Sequence, residues 1–550
     1  MSNTTESHEA LLATEFKKDK QFANLLLQIN NAFFDEKGNC HCIDINNSYL
    51  PKQIDRFKNS LLVFDGKFYG IEPELIQATA DEVNNVLNTL RQESLQKTTA
   101  VKDSENRDAL VQLLETAIQK NASDIHLRLV SGSQNNQQRT EINGRIDGLF
   151  LELMPDQPLE FGIRICSYFI DVVAKAKMPF SINGFADEVI ELPLRRRKSN
   201  STETVLVTSK WRLSQIPIDD GSKITLRNQD TTGSAKLDIN KLGLNKGQVK
   251  GVVSCVNSAQ GALLLSGPTG SGKTTLINAA LLTVPPTRYF HSLEDPVEFS
   301  RGGRNQFAST VNADETDAHG HKVRSFAALG KRMLRHDPDG QYFGEVRDTE
   351  GAETFVRLAS TGQVMVGTIH CNSAIAAIPT LVEQMKIPVA QLAAPSVLRG
   401  LAHVRLVRQL CPSCRIPHSE APTHFKEDPT LEAAYEEVNK LAKNKHLAPD
   451  SVYYRNVFGP CQKCGGRGEM NRTSVFEIVL IDDAALGYIR NLDMTGWLTH
   501  LKNIGWPSIR EHAESKLFAG MIDIRSMNEV VDNYTDADNI KETYATMKGI

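Results

Sequence analysis

Residues 267–274 read Gly-Pro-Thr-Gly-Ser-Gly-Lys-Thr, which meets the pattern G-x-x-x-x-G-K-[ST] at every fixed position. The flanks suit such a loop. Ala262, Leu263, Leu264 and Leu265 form an apolar run predicted as a strand, and Leu276-Ile277-Asn278-Ala279-Ala280 opens a helical pattern. A strand, a glycine-rich turn and a helix N-terminus aim backbone N–H groups and the positive end of a helix dipole at one small volume, which favours an anion. The segment Gly267, Pro268, Thr269, Gly270, Ser271, Gly272, Lys273, Thr274 and Thr275 is therefore expected to cradle the phosphates of ATP or GTP. In that reading Lys273 reaches the β- and γ-phosphates, and the Thr274 hydroxyl holds Mg²⁺.

Working outward, 550 residues are too many for one core, so several domains are expected. A net charge of −4 argues against a broad basic surface, and no direct contact with nucleic acid is expected. Met1–Glu6 lacks a basic start followed by an apolar core, so no secretory signal is expected. No apolar run approaches the roughly 18–20 residues that cross a bilayer, which predicts a cytoplasmic protein whose membrane association goes through a partner.

Residues 1–97 mix helical patterns (Phe22 to Phe34, and Glu74 to Leu95 after Pro73) with a strand at Leu61–Tyr69, and carry no recognisable chemistry. Residues 98–107 are polar and read as a linker. Residues 108–230 combine a helical pattern (Leu110, Leu113, Leu114, Ala117) with alternating stretches, which predicts an α+β domain with a mainly antiparallel sheet. A second linker falls near 228–236. The nucleotide domain, 237–410, alternates strands with helices, so its sheet should be mostly parallel and covered on both faces. A small insertion at 411–464 and a helical part at 465–550 complete the chain.

Acidic residues at the ends of parallel strands project into the crevice where α/β sheets bind ligands. Glu294, in Leu293-Glu294-Asp295-Pro296-Val297-Glu298-Phe299, follows an expected strand at Arg288–Ser292. Glu345, in Gly344-Glu345-Val346-Arg347-Asp348, follows an expected strand at Gln341–Phe343 that is weak because Gly340 and Gln341 stand where apolar residues suit better. His370 ends the strand Val364–Ile369. Phosphoryl transfer to water needs a phosphate cradle, a metal, a positioned water and positive charge at the transition state. Glu294, Glu345 and His370 supply part of this set. Arg212 and Arg227 in the preceding domain are candidates for the charge, with salt-bridged strand arginines as the plain alternative.

Cys411-Pro412-Ser413-Cys414 and Cys461-Gln462-Lys463-Cys464 flank 46 residues (461 − 414 − 1). Two such pairs complete a tetrahedral four-sulfur site, for which zinc is the default metal, and a filled tetrahedron leaves no open position for catalysis. A structural Zn²⁺ site is expected. Cys40-His41-Cys42 has the wrong spacing for a zinc knuckle.

Taken together, these residues resemble the secretion-superfamily ATPases of type II secretion and type IV pilus assembly, over about 108–530. Ala122-Ser123-Asp124-Ile125-His126, Arg145-Ile146-Asp147-Gly148, the stretch from Trp211 to Arg227, Leu293–Glu298, Gly344–Asp348, Thr368–His370 and the tail Cys461–Glu477 are similar to the family's ordered motifs. The resemblance implies a RecA-like P-loop ATPase domain preceded by a PAS-like domain, with a Cys₄ zinc insertion, assembled as a homo-hexamer. It implies ATP as the nucleotide, Arg212 and Arg227 as γ-phosphate ligands, and Glu294 and Glu345 as the water-activating and Mg²⁺-associated carboxylates, without saying which is which. An inner-membrane platform protein is the implied partner. Departures are Gln363 where the family has His, Ser373 where it has Asp, and Phe185 where a third arginine often stands. The Cys₄ site favours an assembly motor. A retraction or conjugation motor is the alternative within the family, and a nucleotide-binding scaffold without productive turnover is the alternative outside it.

Overall fold

The computed structural model describes residues 99–132, 138–176, 178–197, 204–229, 237–299 and 305–531, together with 32–34, 39–46, 54, 74–84, 541 and 544–547. The chain divides into two compact units, Met1–Asp230 and Thr231–Ile550.

The first unit is built on a six-stranded antiparallel sheet, in the order Leu149–Gln157, Arg139–Ile146, Ala122–Val130, Gly221–Asn228, Thr204–Ile218, Ala186–Arg197. Period-two alternation sets its faces. In Ala122–Val130, Ile125, Leu127 and Leu129 are buried while His126 and Arg128 are half-buried on the other side. The apolar face packs beneath the helices Thr99–Gln119, through Leu110, Leu113, Leu114 and Ala117, and Leu159–Ser167, through Ile165 and Cys166. Each such Leu or Ile stabilises the unit by about 1.5–3 kcal/mol.

The helix begins at Thr99, so residues 99–107 are helix and not linker. No Gly or Pro interrupts 98–120, so the helix anchored by Leu110, Leu113, Leu114 and Ala117 extends back through residues that do not break it, although Thr99, Val101, Asp103, Ser104 and Asn106 have only modest helix propensity. The helix expected from Glu74 is also displaced. Leu75–Gln77 is a strand parallel to Cys40–Cys42, which pairs antiparallel with Ala32–Phe34. Helix starts only at residue 80, where Thr79 and Glu82 cap one another: Glu82 N–H donates to Thr79 Oγ1, and Thr79 N–H donates to Glu82 Oε2. Residues 32–34, at the end of the helix expected over Phe22–Phe34, are that antiparallel strand. The rest of that helix and the strand expected at Leu61–Tyr69 lie outside the described residues.

The second unit carries a seven-stranded sheet in the order Gln306–Thr310, Phe290–Glu294, Gly340–Phe343, Val364–Ile369, Gly261–Ser266, Leu398–Leu410, Glu469–Leu480. The first six strands are parallel and the last is antiparallel. Helices cover both faces. Ala262 and Leu264 enter a core that holds Phe355 and Trp497, while Leu263 and Leu265 enter one that holds Val252 and Leu276. The part beginning at 465, expected to be helical, starts with the strand Glu469–Leu480, which pairs with Leu398–Leu410 from Gly400↔Leu480 to Leu410↔Glu469. Helices Asp483–Asn491, Met494–Asn503, Ile509–Phe518 and Ile524–Asn528 follow.

The polar strand Gly340–Phe343 has a packing explanation. A Cβ at Gly340 would lie 2.4 Å from Phe290 Cζ and 2.8 Å from the Val364 carbonyl oxygen, so only glycine fits. Gln341 is fully buried, and its Nε2 donates to Gln363 Oε1 at 2.8 Å, while Gln363 Nε2 donates to the Pro338 carbonyl at 3.2 Å. The two departures from apolar or family-typical residues, Gln341 and Gln363, thus bond to each other through one amide N–H, while Gln341 Oε1 keeps no partner among the described residues.

The insertion at 411–464 folds around the helix Pro429–Lys445 and shares its core with the C-terminal helices, because Leu431, Val438 and Tyr454 pack with Ala513, Leu517 and Ile524. Among the described residues no helix is long and apolar enough to cross a membrane.

Candidate active site

The strands ending at Glu294, Phe343, Ile369 and Ser266 are consecutive neighbours in the parallel sheet, so their C-terminal ends share one edge. The sequence-predicted groups Glu294, Glu345, His370 and the phosphate loop all leave from that edge.

The loop turns through three glycines in the left-handed region, at φ 149° for Gly267, 75° for Gly270 and 90° for Gly272, and Gly272 then caps the helix Lys273–Leu281. A Cβ on Gly267 would approach the Val404 carbonyl oxygen to 2.5 Å, so the loop could not close there with any other residue. Lys273 is buried and its Nζ donates to the loop's own carbonyls, Gly267 at 2.7 Å and Pro268 at 3.0 Å. Burial pushes its pKa below the ordinary lysine value, against an opposing pull from Glu345. Ser271 Oγ is buried with no hydrogen-bond partner among the described residues. An orphaned hydroxyl, a helix N-terminus and a lysine folded onto its own turn are complementary to a phosphate group, which would satisfy all three. Thr274 and Thr275, in the first helical turn, are half-buried.

Glu345 lies with one carboxylate oxygen 3.5 Å from His370 Nε2 and the other 4.0 Å from Arg347. Burial and Lys273 lower the pKa of His370, and Glu345 opposes them. Lys273, Glu345 and His370 therefore form one electrostatic group. Glu294, at the end of the next strand out, is almost fully buried. Its backbone is tied to the Glu345 turn: Gly344 N–H donates to the Leu293 carbonyl at 2.7 Å, and a Cβ at Gly344 would meet Glu294 Cα at 3.2 Å.

Glu298 also acts on Lys273, a role not singled out from the sequence although the residue stands in the same acidic motif. Ser266 and His403, both buried, were likewise not distinguished from core residues, and Glu477, also buried, is marked in the sequence only as the end of the motif Cys461–Glu477. A lone histidine in an apolar strand gives no sequence signal.

Arg212 and Arg227 lie in the first unit, directly opposite each other on adjacent antiparallel strands. Arg212 makes a two-point contact with Asp187, at 2.9 and 2.6 Å, and Arg227 Nε sits 2.7 Å from Asp124. Both guanidinium side chains remain about half exposed. Like charges placed directly across a sheet oppose folding, and each arginine is balanced by its own carboxylate.

Cys411, Cys414, Cys461 and Cys464 converge, with all four sulfurs within 4.8 Å of one another. The Cys411–Cys461 and Cys414–Cys464 separations are 3.8 and 3.7 Å. A tetrahedron with Zn–S bonds of about 2.3 Å has edges of about 3.8 Å, so the sulfurs fit zinc. Backbone N–H groups aimed at Cys461 push its thiol down to about 6, and Gly468 N–H donates to Cys464 Sγ at 3.3 Å. Thiolates are what a metal binds.

Comparison with known proteins agrees with this geometry. A family model described as type II/IV secretion system protein matches residues 100–531. The type II secretion system protein E of Pseudomonas aeruginosa is 30% identical over 422 residues, covering 76% of this chain and 74% of that protein. The protein transport protein HofB homolog of Escherichia coli is 28% identical over 423 residues, covering 76% of this chain and 80% of that protein. Among solved structures, the ATPase DotB of Legionella pneumophila superposes with a TM-score of 0.50 at 16% identity, covering 76% of this chain and 93% of that chain, which shows a shared fold.

Proposed function

From the membership of this chain in the type II/IV secretion system protein family, as one of its ATPases, we propose that it is a homo-hexameric motor that hydrolyses Mg²⁺–ATP to drive a type II-like secretion or type IV pilus assembly machine. The observation that carries this is the phosphate loop: glycine-turned, with a buried Lys273 held on the loop's own carbonyls, a buried Ser271 Oγ unpartnered among the described residues, and Glu345 and His370 beside it.

The residue roles in this proposal are as follows. Lys273 exchanges the Gly267 and Pro268 carbonyls for phosphate oxygens, and Ser271 gains its missing partner. Thr274 and Glu345 would hold Mg²⁺, which supplies charge neutralisation across the β- and γ-phosphates. Glu345 takes this part because it shares the electrostatic field of Lys273. Glu294, shielded from solvent one strand further out, takes the proton of the attacking water. His370 reports on the γ-phosphate end through Glu345. Arg212 and Arg227 add positive charge as ligands of the γ-phosphate, and turnover moves the first unit, which we read as PAS-like, against the RecA-like second unit. The Cys₄ cluster would bind one structural Zn²⁺. The partner is an inner-membrane platform protein, reached from the cytoplasmic side.

The chain keeps the Cys₄ cluster, which favours assembly over retraction. The polar strand before Glu345 gives no support to a scaffold without turnover, since Gly340 and Gln341 are accounted for by packing and pairing. The test is steady-state ATP hydrolysis by the wild type and by Lys273→Ala. Turnover in the wild type and its loss in the variant support the proposal. A wild type that stays inactive with Mg²⁺, lipid and platform protein supplied would overturn it.

A further inference from the structure

Ser266 ends the phosphate-loop strand, and its hydroxyl is buried where three segments meet. Its Oγ lies 2.8 Å from His403 Nδ1, 2.9 Å from the Ala402 carbonyl oxygen and 3.1 Å from the Ser373 carbonyl oxygen. On the far side of the imidazole, Arg405 Nε donates to His403 Nε2 at 3.3 Å, and Arg405 Nη1 donates to the Val530 carbonyl at 2.9 Å. A guanidinium only donates, so Nε2 is the acceptor and the proton of the neutral ring sits on Nδ1. Nδ1–H therefore donates to Ser266 Oγ, and the single Ser266 proton is shared between the Ala402 and Ser373 carbonyls, the second of which also accepts from Cys371 Sγ at 3.3 Å. Burial, then Arg405 and Lys273, push the His403 pKa down to about 4, which keeps the ring neutral at physiological pH.

Ser373 belongs to the turn that follows His370. The next N–H, that of Ala374, donates to Glu477 Oε1 at 2.8 Å, and Glu477 Oε2 accepts from Ile509 N–H at 2.9 Å. His403 and Glu477 are direct partners across the antiparallel strand pair. The 371–374 turn is thus held at a carbonyl from the phosphate-loop side and at an N–H from the opposite strand. His370 itself is half exposed and has a 3.5 Å contact to Glu345, too long to fix an imidazole by itself. Its placement comes from the turn behind it.

We propose that His403 is a positioning residue for ATP hydrolysis: through Ser266 it fixes the Ser373 carbonyl, and so keeps the turn that carries His370 in register with the phosphate loop. The buried Arg405–His403–Ser266 relay links the C-terminal segment at Val530 to the catalytic edge. The inference rests on the ATPase reading of this site, and the two fail separately, since turnover by the wild type and its loss in Lys273→Ala test that reading alone.

The experiment measures ATP hydrolysis by the full chain carrying His403→Ala and His403→Asn, with melting temperature as a folding control. The Asn amide can present an N–H near the Nδ1 position. His403→Ala should lower kcat about tenfold while KM for ATP changes less than about threefold, and His403→Asn should recover at least about half of the lost rate. A His403→Ala enzyme with kcat within about twofold of wild type, or an Asn variant as impaired as the Ala variant, would overturn the proposal. Should His403→Ala fail to fold, Ser266→Ala and Ser266→Thr carry the same test: the first should lose kcat and the second keep it, and equal loss in both overturns the relay.

Discussion

Glu345→Gln separates the two acidic strand ends. Glutamine keeps the volume and an oxygen for the His370 contact at 3.5 Å, and opens no cavity. What it removes is one negative charge that supports Lys273 and opposes the lowered pKa of His370. ATP binding should therefore persist within about threefold, because the triphosphate loses a nearby repulsion as well as a metal contact. A charge-assisted hydrogen bond to a metal-bound water contributes about 1.5–3 kcal/mol, so the Mg²⁺ midpoint for turnover should rise about 10- to 150-fold. At Mg²⁺ levels that saturate the wild type, hydrolysis falls by most of its rate. Glu294→Gln removes the base, and its loss of about 10²–10⁴-fold should not respond to added Mg²⁺. The assay is steady-state ATP hydrolysis over a magnesium titration, with binding of a fluorescent ATP analogue measured in parallel. Near-normal turnover of Glu345→Gln at low Mg²⁺ would refute the placement of Glu345, and Mg²⁺ rescue of Glu294→Gln instead would invert the two roles.

The remaining expectations concern the metal and acid stability. Elemental analysis should find about one Zn per chain, and Cys464→Ser should abolish it and lower the melting temperature, since a structural zinc supplies folding free energy directly; a metal-free wild type whose melting is unmoved by chelator would show that the four sulfurs bind nothing. His403 and His512 are buried and held down to about 4, His512 by burial and by Lys516. Their folded pKa values lie below the unfolded value of about 6.5, so the unfolded chain binds more protons, and stability present above pH ~6.5 is lost as pH falls toward 4, by about 2 kcal/mol per histidine at pH 5. The Nδ1 of His512 accepts the Phe476 N–H at 3.0 Å, a role an amide oxygen can fill, so His512→Asn should flatten the melting-temperature profile between pH 6.5 and 5. Parallel profiles for variant and wild type would refute this reading.

The catalytic edge was legible because its signals are local. A phosphate loop is eight consecutive residues, and the strand predicted at Val364–Ile369 is the strand observed, since its apolar run is bounded by Gln363 and His370. Glu294 and Glu345 stand at strand ends as expected, each beside a strand shifted by a residue or two from its expected bounds. What escaped was decided by distant partners. The strand Glu469–Leu480 mixes Arg472, Thr473 and Ser474 into its pattern, and becomes a strand because Leu398–Leu410 offers an open edge, with partners 59 (469 − 410) to 80 (480 − 400) residues away in sequence. Gly340 and Gln341 looked like faults in a buried strand until Phe290 and Gln363 were seen to occupy the space and the hydrogen bond they leave.

The same reasoning explains why His403 was invisible and why it matters. An imidazole in an apolar strand costs stability unless both nitrogens are satisfied. Here both are, one by Ser266 at the root of the phosphate loop and the other by Arg405. An aliphatic residue would fill the same space without a polar requirement, but it could not hold Ser266 Oγ between the Ala402 and Ser373 carbonyls. A buried polar group that is fully paired specifies one arrangement of the segments it joins, and the segments joined here are the phosphate-loop strand, the 371–374 turn and the strand that leads into the Cys₄ insertion. The chain thus carries a fixed connection between the place where the nucleotide is expected to be cleaved and the part of the second unit that the four sulfurs hold together.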